Sequence, residues 1–314
     1  MKTKNLFTAA ILLLSITFLA SCSNDDGTSY GDEKSKTNFY ITDAPTDNTN
    51  VKGVIVTVAD VKINGVSIEG FTKTTIDLMQ YQKGMKKLLG NLELNTGTYS
   101  NIALVLDHQT DASGNAPGSY VLMTNGTVKA IQNSSNSINI NGAFEVLASS
   151  QNNVVLDFDI RKAIVESGSN DFKFVTASEL STSVRVVNEA SAGEIKGTAS
   201  DTQNTSDKII VYAYAKGTFN AAKETSAQGS GVMFAKAANS SSVNKATGSY
   251  ELNFLSKGDY ELHFVSYKDT NNDGKFEFNG LLEASSVTGV NLNNISIDSS
   301  LNVNIAVILK AKLL

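Results

Sequence analysis

The densest group of metal-binding side chains in this sequence is Asp269-Thr270-Asn271-Asn272-Asp273-Gly274-Lys275. It sets side-chain oxygens at loop positions one, three and five (Asp269, Asn271, Asp273), a glycine at six for a sharp turn, and the Lys275 carbonyl at seven. That is the first half of a calcium loop of EF-hand type. Calcium takes about six to eight oxygens, so half a loop needs a further carboxylate. Position twelve, where a bidentate acid belongs, is Gly280, which leaves Glu277 or Glu283 to supply it. A site completed in that way would be structural, with a dissociation constant on the order of 0.1 to 1 mM. The alternative is a polar hairpin loop that turns on Asn-Asp-Gly. Asp157 and Asp159 have the spacing to place two carboxylates on one strand face for acid–base work. Alternation with Leu156, Phe158 and Ile160 equally makes them the wet face opposite a core stripe. Asp107, His108 and Asp111 are a second metal candidate, set against a solvated histidine in a polar loop. Asp43, just before Ala44-Pro45, would close an Asx turn and is the remaining candidate binding carboxylate. His263 points away from Leu262 and Phe264 and reads as a cross-strand packing or surface residue. Cys22 is the one cysteine, so no disulfide or thiolate pair is available elsewhere. His-Glu-x-x-His, Gly-x-Ser-x-Gly, Cys-x-x-Cys and Gly-x-Gly-x-x-Gly are all missing.

The elements that position these residues are strands. From Asn38 the pattern has period two: Val54, Val56 and Val58 alternate with Ile55, Thr57 and Ala59, and Asn64-Gly65 then marks a turn. Val121-Leu122-Met123 and Val128-Lys129-Ala130-Ile131 flank Asn125-Gly126, a strong hairpin signal. Helical pattern is confined to Met85–Leu89 and Lys162–Glu166, a turn or two each. Polar Asn188-Glu189-Ala190-Ser191-Ala192 marks a boundary, after which Gly193–Ala199, Ile209–Tyr214, Gly248–Phe254 and Gly258–Val265 are strands. Ala221–Asn244 is a long loop with one short strand at Val232-Met233-Phe234. The expected fold is all-β, two tandem antiparallel β-sandwiches at 37–189 and 190–314. Two prolines, no tryptophan and abundant Asn, Ser, Thr and Gly fit an exported β protein. A formal net charge of −5 does not suit a nucleic-acid binder, which must neutralise phosphates.

At the amino terminus Lys2 and Lys4 precede an apolar run, Leu6–Ala20, shorter than the ~20 residues a spanning helix needs. Leu19-Ala20-Ser21-Cys22 resembles the lipobox of bacterial lipoproteins. The resemblance implies a signal peptide over 1–21 and diacylglycerol on the Cys22 thiol with further acylation, palmitate being a typical chain. One acyl chain anchors marginally, whereas two or three hold firmly. Residues 22–36, polar and acidic, read as a tether with a reach of roughly 20 Å. The acidic run behind Cys22 resembles an export tag for the cell surface. The expected location is therefore the outer membrane, held by lipid and either displayed outside or facing the periplasm.

Ile41-Thr42-Asp43-Ala44-Pro45, the valine-rich strand from Val51, Ile76-Asp77-Leu78, Leu88-Leu89, Gly97-Thr98-Tyr99-Ser100-Asn101-Ile102-Ala103-Leu104 and Leu156-Asp157-Phe158-Asp159 resemble the bacterial lipoprotein family called domain of unknown function 4382. The second half, from Gly193-Glu194-Ile195-Lys196-Gly197-Thr198 to about Leu282, resembles the transthyretin-like sandwich of carboxypeptidase regulatory modules. Neither resemblance brings a catalytic set. The functional expectation is a non-enzymatic, membrane-anchored envelope protein presenting its sandwiches to a protein or glycan ligand. The alternatives are an accessory glycan-binding lipoprotein for polysaccharide uptake, using Tyr30, Tyr120, Tyr212 or Tyr214 as a stacking surface, and an enzyme of unrecognised type.

Overall fold

The computed structural model describes residue 31 and residues 33–43, 48–132, 135–148, 150–168 and 171–311. The first region contains β1 (Lys34–Asp43), β2 (Val51–Ile63), β3 (Val66–Ser67), β4 (Thr74–Asp77), β5 (Lys87–Asn95), β6 (Gly97–Leu106), β7 (Tyr120–Met123) and β8 (Val128–Gln132). It continues with β9 (Ser137–Val146), β10 (Asn152–Phe158), α1 (Ile160–Ala163), β11 (Ile164–Ser167), β12 (Asp171–Phe174), α2 (Ala177–Ser183) and β13 (Val184–Asn188). The second region contains β14 (Ala192–Asp201), β15 (Lys208–Ala215), α3 (Ala221–Glu224), β16 (Asn239–Ser242), β17 (Ser249–Ser256), β18 (Gly258–Lys268), β19 (Glu277–Ser286), β20 (Ile295–Ile297) and β21 (Asn302–Ala311).

The fold is all-β, as the alternating pattern implies. A sheet in the order β13-β10-β1-β5 faces a larger one, β11-β12-β8-β7-β2-β6-β9, with β3 and β4 on β2. Phe39, Val56, Leu104, Phe144 and Phe158 fill the space between them. The expected Asn125-Gly126 hairpin joins β7 to β8, with Gly126 at φ +85. The second region is a sheet in the order β16-β15-β18-β19-β21-β14-β17, with β20 on β18. It curls until its ends meet, the Ser241 hydroxyl accepting from Glu251 N–H at 3.3 Å. Antiparallel pairing dominates, but β1 runs parallel to β10, β8 to β12 and β14 to β21.

Both Gly-x-Tyr strands use one device: the tyrosine hydroxyl reaches back over the turn to a carbonyl four residues earlier. Tyr99 donates to Asn95 at 2.9 Å and Tyr260 to Ser256 at 2.8 Å. The expected turn of helix at Met85–Leu89 is replaced by β5, whose Leu89 and Leu94 are buried against the core while its backbone pairs with β1. Of Lys162–Glu166 only the first two residues are helical, in α1, and β11 follows at once. No strand forms at Val232–Phe234, where Phe234 takes φ +53 and its ring is wholly buried.

Candidate functional site

The expected wet face of β10 is not wet. Val154, Leu156 and Phe158 face the core between the sheets, but Val155 on the opposite side clusters with Val187, Ala192 and the partly buried Tyr40 and Phe254. The second region covers that face, and burying such an aliphatic side chain contributes about 1.5–3 kcal/mol. Asp157 and Asp159 are therefore 5% and 6% exposed. A buried carboxylate must be paired. Arg185 Nη2 donates to Asp157, and its Nη1 donates to the Phe254 carbonyl across the junction at 3.3 Å. Asp159 accepts from Arg161 Nη2 at 3.0 Å and lies 3.5 Å from Lys162 Nζ.

The two cations of α1 then reach into the second region. Arg161 Nη1 donates to the carbonyls of Met233 and Phe234 at 2.8 and 3.4 Å, its guanidinium lying 5.0 Å from the Tyr212 ring centre. Lys162 Nζ donates to the Ala237 carbonyl at 3.0 Å. Burial pushes the Asp159 carboxyl up, but Arg161 and Lys162 outweigh it and hold it below the usual carboxylate range. Burial likewise lowers the Lys162 ammonium, and Asp159 only partly restores it. Nearby, Glu179 caps α2 through Thr176 and accepts from Ser230 N–H at 2.7 Å. Burial raises its carboxyl, but the Ser230 and Thr176 donors bring it down to about 2. Asp157 and Asp159 are thus ties between the regions, and neither is presented to solvent as an acid–base pair.

Beside these ties lies a cleft of about 590 Å³ between the regions, walled by Ile164, Val165, Met233, Phe276 and Phe278. Its rim is held by Lys275 Nζ and Asn48 Nδ2, each donating to Glu166 at 2.7 Å. The size and the position between two regions are those of many small-molecule sites.

The candidate calcium loop is part of the same junction. Asp269 accepts from Asp273 N–H at 3.0 Å and Gly274 N–H at 2.9 Å, Asn271 from Asp273 N–H at 3.1 Å, and Asp273 from Lys275 N–H at 2.8 Å. The carbonyls of Asp273 and Gly274 accept from Asn50 Nδ2 and Thr49 N–H of the first region. The ligand set is not completed. Glu277 folds back on Thr270 N–H and Oγ, both at 3.1 Å. Glu283 sits opposite Lys310, six residues along β19 from Glu277, or about 20 Å at the usual strand rise. Among the described residues no group of three or more His, Cys, Asp or Glu is placed to hold a metal ion. The loop does not fit calcium: it has the turn and lacks the bidentate acid.

Asp43 is buried, its Oδ1 accepting from Ile160 N–H at 3.2 Å and its Oδ2 from Gln82 Nε2 at 3.4 Å. It fixes the start of α1; Ala44 and Pro45 lie outside the described residues. His108 is buried too, against expectation. Its ring nitrogens meet Ser119 Oγ at 3.0 Å and the Ser135 carbonyl at 3.1 Å, and burial lowers its pKa. Asp107 pairs with Lys73 at 2.7 Å and Asp111 accepts its own loop's N–H groups, so the three do not converge. Tyr212 and Tyr214 are wholly buried and offer no stacking surface, while Tyr120 is partly buried. The covering groups are Phe234, stacked on Tyr212 at 4.4 Å, and Phe219, edge-on to Tyr214 at 5.0 Å. His263 packs as expected, its ring stacked on Phe219 at 3.7 Å. Cys22, Tyr30 and the signal segment lie outside the described residues.

Residues 34–175, most of the first region, match the family model described as domain of unknown function (DUF4382). The match stops before α2 and β13, although β13 pairs with β10 of the matched part. No curated protein sequence matches the chain. Among solved structures, the chain is similar to the TIE protein of Bacillus anthracis (14% identity, 88% of this chain and 34% of that one, TM-score 0.20). It is also similar to BcpA, the major pilin subunit of Bacillus cereus (12% identity, 89% and 71%, TM-score 0.23). A third is the minor pilin of Streptococcus agalactiae (12% identity, 88% and 97%, TM-score 0.20). The chain spans about a third of the length of the first of these.

Proposed function

We propose that this chain is a non-enzymatic, lipid-anchored protein of the cell envelope whose two β regions act as one rigid binding body. The observation that carries the reading is the fate of Asp157 and Asp159. The best acid–base candidates in the sequence are buried under Arg185, Arg161 and Lys162, where they join the regions. A body braced in this way presents fixed surfaces to a protein or glycan ligand, as preorganised binding requires. The anchor follows from Leu19-Ala20-Ser21-Cys22, and the acidic tether behind it favours the outer membrane, displayed outward. Metabolic labelling with palmitate tests the anchor: label should enter the wild-type chain and not Cys22→Ser. Equal labelling of both, or none in either, overturns it. Protease shaving of intact cells then reads the face, since only a displayed chain is cut. Hydrolase activity that disappears in Asp157→Asn would overturn the non-enzymatic role.

A further inference from the structure

The second region carries a groove that no resemblance or match assigns. β18 and β19 pair as far as Phe264 and Leu282; beyond that point β19 keeps to β21, while Leu262 N–H turns to the Leu292 carbonyl at 2.9 Å. The gap left by the parting strands is a groove of about 740 Å³. A second hollow of about 410 Å³ adjoins it, and His263 lines both. This is the size range of ligand sites.

Its floor is an aromatic pair. The His263 and Phe219 rings lie 3.7 Å apart at 21°. Glu261 holds both, accepting from Phe219 N–H at 3.0 Å and lying 3.5 Å from His263 Nε2. Around this floor stand exposed planar amides: Gln203, whose Oε1 accepts from Ala311 N–H at 2.7 Å, and Asn291, whose Oδ1 accepts from Asn293 N–H at 3.0 Å. Each amide is oriented through its oxygen, and its N–H donors take no part in that bond. Asn293, Glu283 and Lys310 complete the wall.

A flat apolar floor ringed by fixed amides and a carboxylate suits a ligand with an apolar face and hydroxyl edges on one ring, which is the chemistry of a pyranose. Charge narrows the class. Glu283 and Lys310, the charged pair of the groove's wall, stand opposite each other and cancel, so uronic or sulfated chains meet no net counter-charge. We propose that this groove binds neutral glycan chains, with an outer face of the stacked Phe219–His263 pair as the floor. The proposal names the ligand class for the binding body proposed above and does not depend on its lipid.

The chain has only two histidines, which makes the test direct. Full chain carrying ¹⁵N-histidine, in detergent, is titrated with neutral hexasaccharides of α-glucan, β-glucan, mannan and xylan, and with an acidic galacturonate hexamer. At least one neutral hexamer should shift the His263 imidazole signals saturably while the buried His108 stays unmoved. Affinity should fall at least tenfold in both Phe219→Ala and Asn293→Ala, with an unchanged far-UV circular dichroism spectrum and a cooperative urea transition certifying that the second region of each variant is folded. No movement of His263 with any neutral hexamer, or equal movement with the acidic one, overturns the assignment. Palmitate labelling is unaffected by either result, so failure here and failure of the anchor are told apart.

Discussion

Replacing Arg161 by Met removes the main tie between the regions without changing side-chain bulk greatly. The Arg161 side chain is 6% exposed and that of Asp159 8%. The variant loses the 3.0 Å bond to Asp159 and the donors to the Met233 and Phe234 carbonyls. Asp159 keeps only Lys162, at 3.5 Å. Breaking a buried pair by removing one partner costs about 3–5 kcal/mol, because the surviving charge is left uncompensated. That is a large share of the ~5–15 kcal/mol that holds a typical domain. The Asp159→Leu/Arg161→Met double variant removes both charges and should recover part of the loss, leaving mainly the Met233 carbonyl without its donor at about 1–3 kcal/mol, since the Phe234 carbonyl still accepts from Ala237 N–H at 3.2 Å. Urea unfolding read by far-UV circular dichroism and by tyrosine fluorescence, the chain having no tryptophan, measures this. The wild type should unfold in one step by both probes, the single variant should lower the midpoint at constant slope, and the double variant should lie between. A loss under about 1 kcal/mol, against the range for a buried pair, would refute the junction argument. So would two wild-type transitions, one per region.

Three further outcomes follow from the same structure. Glu179, with its folded carboxyl at about 2 against an ordinary value of 4.5, contributes stability that is complete above the ordinary value and lost as pH falls through the folded one. The gap in urea midpoint between wild type and Glu179→Gln should therefore shrink between pH 5 and pH 2; a constant gap would show that the Ser230 contact carries no charge dependence. Several millimolar calcium should leave the melting temperature of the full chain unmoved, and a rise of several degrees abolished by Asp269→Asn would show that the loop finds its missing ligand. Gly197→Ala should destabilise by about 1–3 kcal/mol as an overpacking change, since a Cβ there would stand 1.8 Å from the Ile305 carbonyl of the adjoining strand. Normal thermal stability in that variant would mean that β14 and β21 separate easily.

Much of the fold is legible in the sequence because period-two alternation and Asn-Gly turns are local signals. β2, β6, β7, β8 and β18 all fall where alternation puts them. The errors have one origin. Asp157 and Asp159 alternate with a core stripe and so read as solvent-facing, but a strand has two faces and its own residues cannot say that a second region covers the other. The burial of His108 is hidden for the same reason: its covering ring is Phe174, distant in the chain, whereas the unbroken apolar run Ile209–Tyr214 already reads as a strand buried on both faces. β5 is not legible because Met85–Leu89 is too short to show a period, and pairing with β1 decides its conformation. The groove floor had no signal at all. Phe219 stands in a patternless segment and meets His263 only when the strands are in place.

The first strand among the described residues is an inner one. β1 pairs along its length with β10 on one side and β5 on the other. A tug on the amino-terminal end acts along β1 and strains both ladders in shear, many hydrogen bonds sharing the load at once, where a strand on the rim would peel away one bond at a time. Were the chain held by lipid at Cys22, as proposed, drag from flowing medium or from a captured polymer would fall on the part of the architecture best arranged to withstand it.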